Sequence, residues 1–142
     1  MQRHSLPRSI EVTFLLEPRF RDPDVTREYL ESRKWPNGLR KCPHCQDFDE
    51  HKPLKGRSNR PGLYKCNACH EPFTVTVGTA YHGSKIPLHQ WLQAEYLVRQ
   101  KRSAKDVERI IGVTYKTAWR MVRRIHSDLD DARDAWGDPA RR

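Results

Sequence analysis

Two Cys-x-x-Cys turns, Cys42-x2-Cys45 and Cys66-x2-Cys69, hold every cysteine of the chain and stand twenty residues apart. Each turn offers two thiolates from one tight loop, and two such loops close a tetrahedron around a single Zn²⁺. The same four sulfurs also suit a rubredoxin-like iron site, whereas a redox pair would use one such turn at a helix start. Four protein ligands leave no open position for water, so the ion is expected to hold structure and to catalyse nothing. His44 and His70 stand beside the cysteines and are expected to be solvated. Knuckles of this kind often place Gly after the second cysteine, where this chain has Gln46 and His70. Both residues can take a positive φ at some cost.

A metal fits the rest of the composition. Hydrophobic residues make up 36% of the 142 and charged residues 32%, with ten prolines, which favours small packed units over one generous core. Pro43 suits the first knuckle, and Gly56, Pro61 and Gly62 suit a hairpin connection between the two. Tyr64 and Lys65 lead into the second knuckle. The run "FTVTV" then alternates Phe73, Val75 and Val77 with Thr74 and Thr76, which predicts a half-buried strand. The expected ribbon has about three antiparallel strands within residues 42–80.

The formal charge of +9 suits a polyanionic partner, foremost nucleic acid. It is unevenly spread: +3 over 1–41, +1 over 42–80, +7 over 81–127 and −2 over 128–142. The contact surface is therefore expected within 81–127. The short apolar run Val12 to Leu16 is bracketed by Glu11 and Glu17, which does not suit a signal peptide. No run of eighteen apolar residues predicts a membrane span. A reducing, cytoplasmic location is expected, with the protein on the nucleoid and no small-molecule substrate.

Within the basic segment, Pro87 stands at an expected first helical position ahead of Leu88, Trp91, Leu92, Leu97 and Val98. Glu95 falls beside that stripe and is expected to pair with a nearby basic residue. Ser103 predicts the cap of a short helix through Ile111 that Gly112 stops, and Thr114 caps a further helix of three or four turns. Two helices joined at "GVT" predict a helix-turn-helix. On the second, Ala118, Met121, Val122, Ile125 and Leu129 share one face, while Lys116, Arg120, Arg123 and Ser127 lie opposite, flanked by Thr117 and Arg124. Docked in a major groove, Tyr115, Lys116, Thr117 and Arg120 would reach base edges, and Arg123 and Arg124 phosphates. Trp119 at the border is expected to pack. A solvated basic face on an ordinary helical hairpin is the plainer alternative. Upstream, Asp22 and Pro23 predict the start of a helix carrying Tyr29 and Leu30, and "WPNG" a turn into the ribbon.

The segments "REYLESRKWPNGLRKCPHC", "YKCNACHEPFTVTVGTAYHGSKIPLHQWL" and "GVTYKTAWRMVRRI" closely resemble the N-terminal region of bacterial insertion-sequence transposases of the 1595 group, over about residues 20–127. The resemblance implies a zinc ribbon with Cys42, Cys45, Cys66 and Cys69 as ligands, followed by a helix-turn-helix that recognises terminal inverted repeats in double-stranded DNA. Glu108 and Ile110 depart from the small polar and charged residues usual at their positions. Members of the group continue into an RNase H-like catalytic domain. Here the chain stops first, so no catalysis of its own is expected, and a catalytic transposase is an expected partner. Asp128, Asp130, Asp131, Asp134 and Asp138 lie along one short polar segment, which suits a solvated helix end rather than a two-metal site.

The expected architecture is thus α+β. An N-terminal segment (1–41) with a short helix precedes the ribbon (42–80), the helix-turn-helix unit (81–129) and a polar tail (130–142). A zinc-ribbon protein-interaction module or a transcriptional regulator is the alternative function. The DNA target and the oligomeric state are not encoded in any motif.

Overall fold

The structure is a computed structural model that describes residues 13–136, the last six by backbone alone. The reading of the N-terminal dozen residues, and of the acidic side chains Asp131, Asp134 and Asp138, lies outside the described residues.

Two 3₁₀ turns, Phe14–Leu16 and Pro18–Phe20, lead to α1 (Pro23–Lys34). The Asp22 carboxylate accepts the Asp24 N–H at 2.9 Å, and Pro23 occupies the first turn, where its missing N–H costs nothing. The helix stops at Trp35, and Gly38, with φ 77°, closes the expected turn by donating its N–H to the Trp35 carbonyl at 3.1 Å.

Five antiparallel two-residue strands follow. β1 (Arg40–Lys41) pairs with β2 (Phe48–Asp49), while β3 (Lys52–Pro53), β4 (Tyr64–Lys65) and β5 (Pro72–Phe73) form a second sheet in that order. The ribbon is therefore two small sheets, one wrapped on each knuckle, and its first strand begins ahead of residue 42. Leu54 donates to the Leu63 carbonyl at 2.8 Å, extending the β3–β4 hairpin past its last ladder pair.

The strand expected over "FTVTV" ends at Phe73. Phe73 and Val75 are buried and Thr74, Thr76 and Val77 half-buried, so the alternation in burial holds only as far as Thr76, and the backbone turns from Val75 onward. The cause is competition for the backbone. Val77 N–H bonds Thr74 O and Thr79 N–H bonds Thr76 O, and the Lys34 ammonium takes the carbonyls of Val75 and Val77 at 3.1 and 3.2 Å. The groups a neighbouring strand would need are already occupied.

Three helices complete the described residues: α2 (Leu88–Arg99), α3 (Ala104–Ile111) and α4 (Tyr115–Trp136). Pro87 is the cap of α2, one residue outside the expected position. Ser103 and Asp106 form a reciprocal capping box on α3, and Gly112 ends it at φ 89°. Thr114 Oγ1 accepts the Thr117 N–H at 3.2 Å and so starts α4. α4 outruns the expected three or four turns and enters the segment read as a polar tail, because no Gly or Pro interrupts it before Gly137. Among the described residues, no helix is long and apolar enough to cross a membrane.

One cluster of buried side chains runs through the molecule. At the ribbon, Trp35 meets Tyr64 and Phe73 edge-on, with ring centroids 5.7 and 6.0 Å apart. At the other end, Trp91, Leu97, Val107, Ala118, Met121 and Ile125 interleave α2, α3 and α4. Three consecutive residues at the end of α1 join the halves. Arg33 bonds Glu95 of α2, Lys34 holds the turns after β5, and Trp35 plugs the ribbon.

Candidate metal centre and nucleic-acid interface

The two knuckles are built alike. In the first, Cys42 N–H bonds Asp47 O at 2.8 Å and Gln46 N–H bonds Cys42 O at 2.9 Å. In the second, Cys66 N–H bonds Glu71 O at 3.1 Å and His70 N–H bonds Cys66 O at 3.0 Å. Closing each loop this way requires a left-handed residue after the second cysteine, and Gln46 (φ 71°) and His70 (φ 65°) supply it without glycine. Amide donors then converge on sulfur: His44 and Cys45 N–H on Cys42 Sγ at 3.3 and 3.5 Å, Ala68 and Cys69 N–H on Cys66 Sγ at 3.3 Å each. Such donors favour thiolate over thiol.

All four sulfurs lie within 4.8 Å of one another, with Cys42–Cys69 at 3.7 Å and Cys45–Cys66 at 3.5 Å. A tetrahedral ion held about 2.3 Å from each sulfur sets them about 3.8 Å apart, so the cluster is of the size that Zn²⁺ takes. Their acidities diverge. Burial would push the Cys66 thiol up, but the amides of Cys69 and Ala68 and the neighbouring sulfurs bring it down to about 6. The Glu71 amide pulls Cys69 down, yet burial and its bonds with Cys66, Cys45 and Cys42 push it up to about 12. Four sulfurs this close resist carrying four negative charges, and a divalent cation removes that resistance.

His44 and His70 are exposed, and His44 Nε2 lies 3.1 Å from the Pro72 carbonyl. The histidine that matters is one the sequence reading passed over. His51 is fully buried and bridges the two knuckles: its Nδ1 accepts the Asn67 N–H at 3.0 Å, and its Nε2 lies 3.1 Å from the Asp47 carbonyl. Since Nδ1 accepts, Nε2 carries the proton and donates to Asp47. Asp47, His51 and Cys66 also group closely enough to suggest a second ion. With both ring nitrogens occupied, His51 has no lone pair to offer one. It fixes the distance between the loops, so His51→Ala is expected to weaken Zn²⁺ affinity about 10–100-fold, as the loss of other groups that orient ligands does, while the ion count at saturation stays at one. Competition against a chromophoric chelator measures this, and unchanged affinity contradicts the bridging role.

On α4 the two faces separate as expected. Ala118, Met121 and Ile125 are buried, Val122 and Leu129 half-buried, while Tyr115, Lys116, Arg120, Arg123 and Arg124 are exposed. Two of the nominated residues are engaged within the fold. The Thr117 side chain is half-buried with its hydroxyl accepting from Thr114, and Arg124 donates to the His82 carbonyl at 2.9 Å with its guanidinium 5.3 Å from the Trp91 ring. Trp119, expected to pack, is instead 45% exposed, with the Arg123 guanidinium 5.0 Å above its ring, and Tyr115 beside it is 46% exposed. At 100° per residue Trp119 falls just beyond the apolar sector, on the side α2 and α3 do not cover.

Glu95 pairs as expected. Its carboxylate is buried, takes a two-pronged bond from Arg33 at 2.9 and 3.2 Å, a third from Arg99 at 3.0 Å, and the hydroxyl of Tyr81. Burial would raise its pKa, but the hydrogen bonds and charge of Arg33 outweigh that and hold it below the ordinary value.

A four-sulfur cluster on paired knuckles, within a mixed helical and antiparallel framework, defines a zinc-ribbon protein, and one structural Zn²⁺ is its cofactor. Residues 22–71 match the family described as the transposase zinc-ribbon domain. The matched span begins at the cap of α1 and takes in that helix with the cysteines. Over 105 residues the chain is 32% identical to an uncharacterized protein in the transposable element ISH50 of Halobacterium salinarum, covering 73% of this chain. The chain spans 35% of the length of that relative. No solved structure matches.

Proposed function

We propose that the chain is a sequence-selective binder of duplex DNA in which α3 and α4 form a helix-turn-helix, serving DNA transposition by recognising the terminal inverted repeats of an element. The observation that carries this reading is the exposed arc of α4, where Tyr115, Lys116, Trp119, Arg120 and Arg123 stand together across the helix from the packed Ala118, Met121 and Ile125. No Asp or Glu occurs between Glu108 and Asp128. Lys116 and Arg120 reach base edges with Tyr115 and Thr117 beside them, while Arg123 and Arg124 lean on phosphates. Cys42, Cys45, Cys66 and Cys69 ligate the Zn²⁺, whose part is to cross-link the knuckles. Strand cleavage and transfer belong, in this reading, to an RNase H-like catalytic partner or domain, and the protein acts on the nucleoid in the cytoplasm.

Arg120→Ala tests the reading. On a duplex recovered by selection from a randomised pool, the variant is expected to lose about 1–3 kcal/mol of preference over a scrambled duplex, as for the loss of one base-edge contact. Unchanged selectivity in that variant contradicts it. The alternative, a ribbon that binds protein, draws on Phe48 of β2, which is 61% exposed. Loss of a protein partner in Phe48→Ser, with duplex binding absent from the parent chain, favours that alternative.

A further inference from the structure

The near-neutral sum over the ribbon hides where its charges sit. Residues 51–70, the β3–β4 hairpin with the second knuckle, carry Lys52, Lys55, Arg57, Arg60 and Lys65, and no Asp or Glu occurs between Glu50 and Glu71. The balancing acids Asp47, Asp49 and Glu50 belong to the first knuckle, β2 and the link that follows it, and Glu71 precedes β5. All five cations are exposed.

Their surroundings differ from those of the arginines that the fold itself uses. Arg19, Arg27, Arg33, Arg40, Arg99 and Arg109 each bond a carboxylate or carbonyl. The five hairpin side chains have no such partner among the described residues. The strand register sets Lys52 directly opposite Lys65, a like-charge pair that works against the hairpin. The hairpin is nevertheless held firmly. A Cβ at Gly62, where φ is 83°, would lie 2.3 Å from Arg27 Cδ, so the backbone there is pressed onto α1, and the Tyr64 hydroxyl donates to Glu31 at 3.0 Å. Five unpaired positive charges on an anchored two-stranded arm describe a surface shaped for a partner that brings repeated negative charge.

We propose that this hairpin is a second polyanion-binding surface, which grips phosphates of the duplex that α4 reads; the proposal rests on the DNA reading above. Phosphates spaced evenly along a rod serve two separate cationic elements at once, and those contacts carry affinity and orientation but no sequence information. The hairpin therefore sets strength and register, and α4 sets sequence.

The test uses the full zinc-loaded chain, with Lys52→Ser/Lys65→Ser and Arg57→Ser/Arg60→Ser as double variants, on the selected duplex and a scrambled one across a salt series. Each double variant is expected to bind both duplexes about tenfold more weakly near physiological salt, with the slope of log K against log salt shallower by about 1.8 and the preference between duplexes unchanged. Lys52→Ser/Lys65→Ser should melt no lower than the parent, since it removes a repulsion, which separates lost contact from lost fold. Parent-like affinity and slope in both variants overturn the proposal while leaving the α4 reading intact. A parent chain that binds no duplex at any salt overturns both. Loss of polyglutamate binding in the variants with duplex binding retained assigns the arm to an acidic protein and also overturns it.

Discussion

Cys66→Ser is expected to abolish stoichiometric Zn²⁺ binding and to unfold the ribbon. Cys66 is fully buried, accepts two backbone N–H bonds at its sulfur and lies 3.5 Å from Cys45 Sγ. The strands around it are two residues each and support little on their own. Structural zinc contributes about 10–16 kcal/mol of apparent binding free energy in peptides of this kind, as much as or more than the whole stability of a small domain. Removing zinc from the parent with a chelator should produce the same state. Because Trp35 joins the ribbon aromatics to α1, loss of the ribbon also frees one end of that helix. Metal content and amide exchange over residues 40–73 are the readouts. A serine variant that keeps one bound ion and a protected ribbon contradicts the assignment.

The second large effect belongs to Glu95. Glu95→Ala leaves Arg33 and the Tyr81 hydroxyl without their shared acceptor where α1 meets α2, and the expected cost is about 3 kcal/mol, or about 10 °C in melting temperature. That is the lower end for breaking a buried pair, since the side chains of Arg33 and Arg99 are 41% and 53% exposed. The same group predicts acid behaviour. Its folded-state pKa lies below the ordinary 4.5, so its contribution is complete above that value and is lost as the pH falls through the folded value. Glu95→Gln should be less stable than the parent at neutral pH, with the difference shrinking under acid. A gap that stays constant down to the acid transition contradicts the ion-pair account.

Much of this molecule can be read from its residues because the deciding interactions are local. Cys-x-x-Cys closes its own turn, Ser103 finds Asp106 three residues on, and Gly112 alone suits the left-handed end of α3. Glu95 was readable for a related reason: a carboxylate beside an apolar stripe needs a cation, although nothing in sequence named Arg33, 62 residues away. What escaped was set by distant partners. The "FTVTV" run alternates as a strand does, and only the arrival of Lys34 shows why its carbonyls cannot join a sheet. His51 is one of seven histidines, and its role depends on Asp47 and Asn67 closing on it from separate knuckles. Counting charge by segment averaged the acids of the first knuckle with the cations of the hairpin, which lie on different elements. Residue type alone assigns Trp119 to packing, but it stands on the side of α4 that α2 and α3 leave uncovered.

Selection of duplexes from a randomised pool by the full zinc-loaded chain, followed by affinity measurements on the winning sequence across salt, bears on the whole scheme. Convergence on one sequence, with a log K slope corresponding to roughly five to eight phosphates, is the expected result. A pool that stays random, together with binding indifferent to salt, contradicts it.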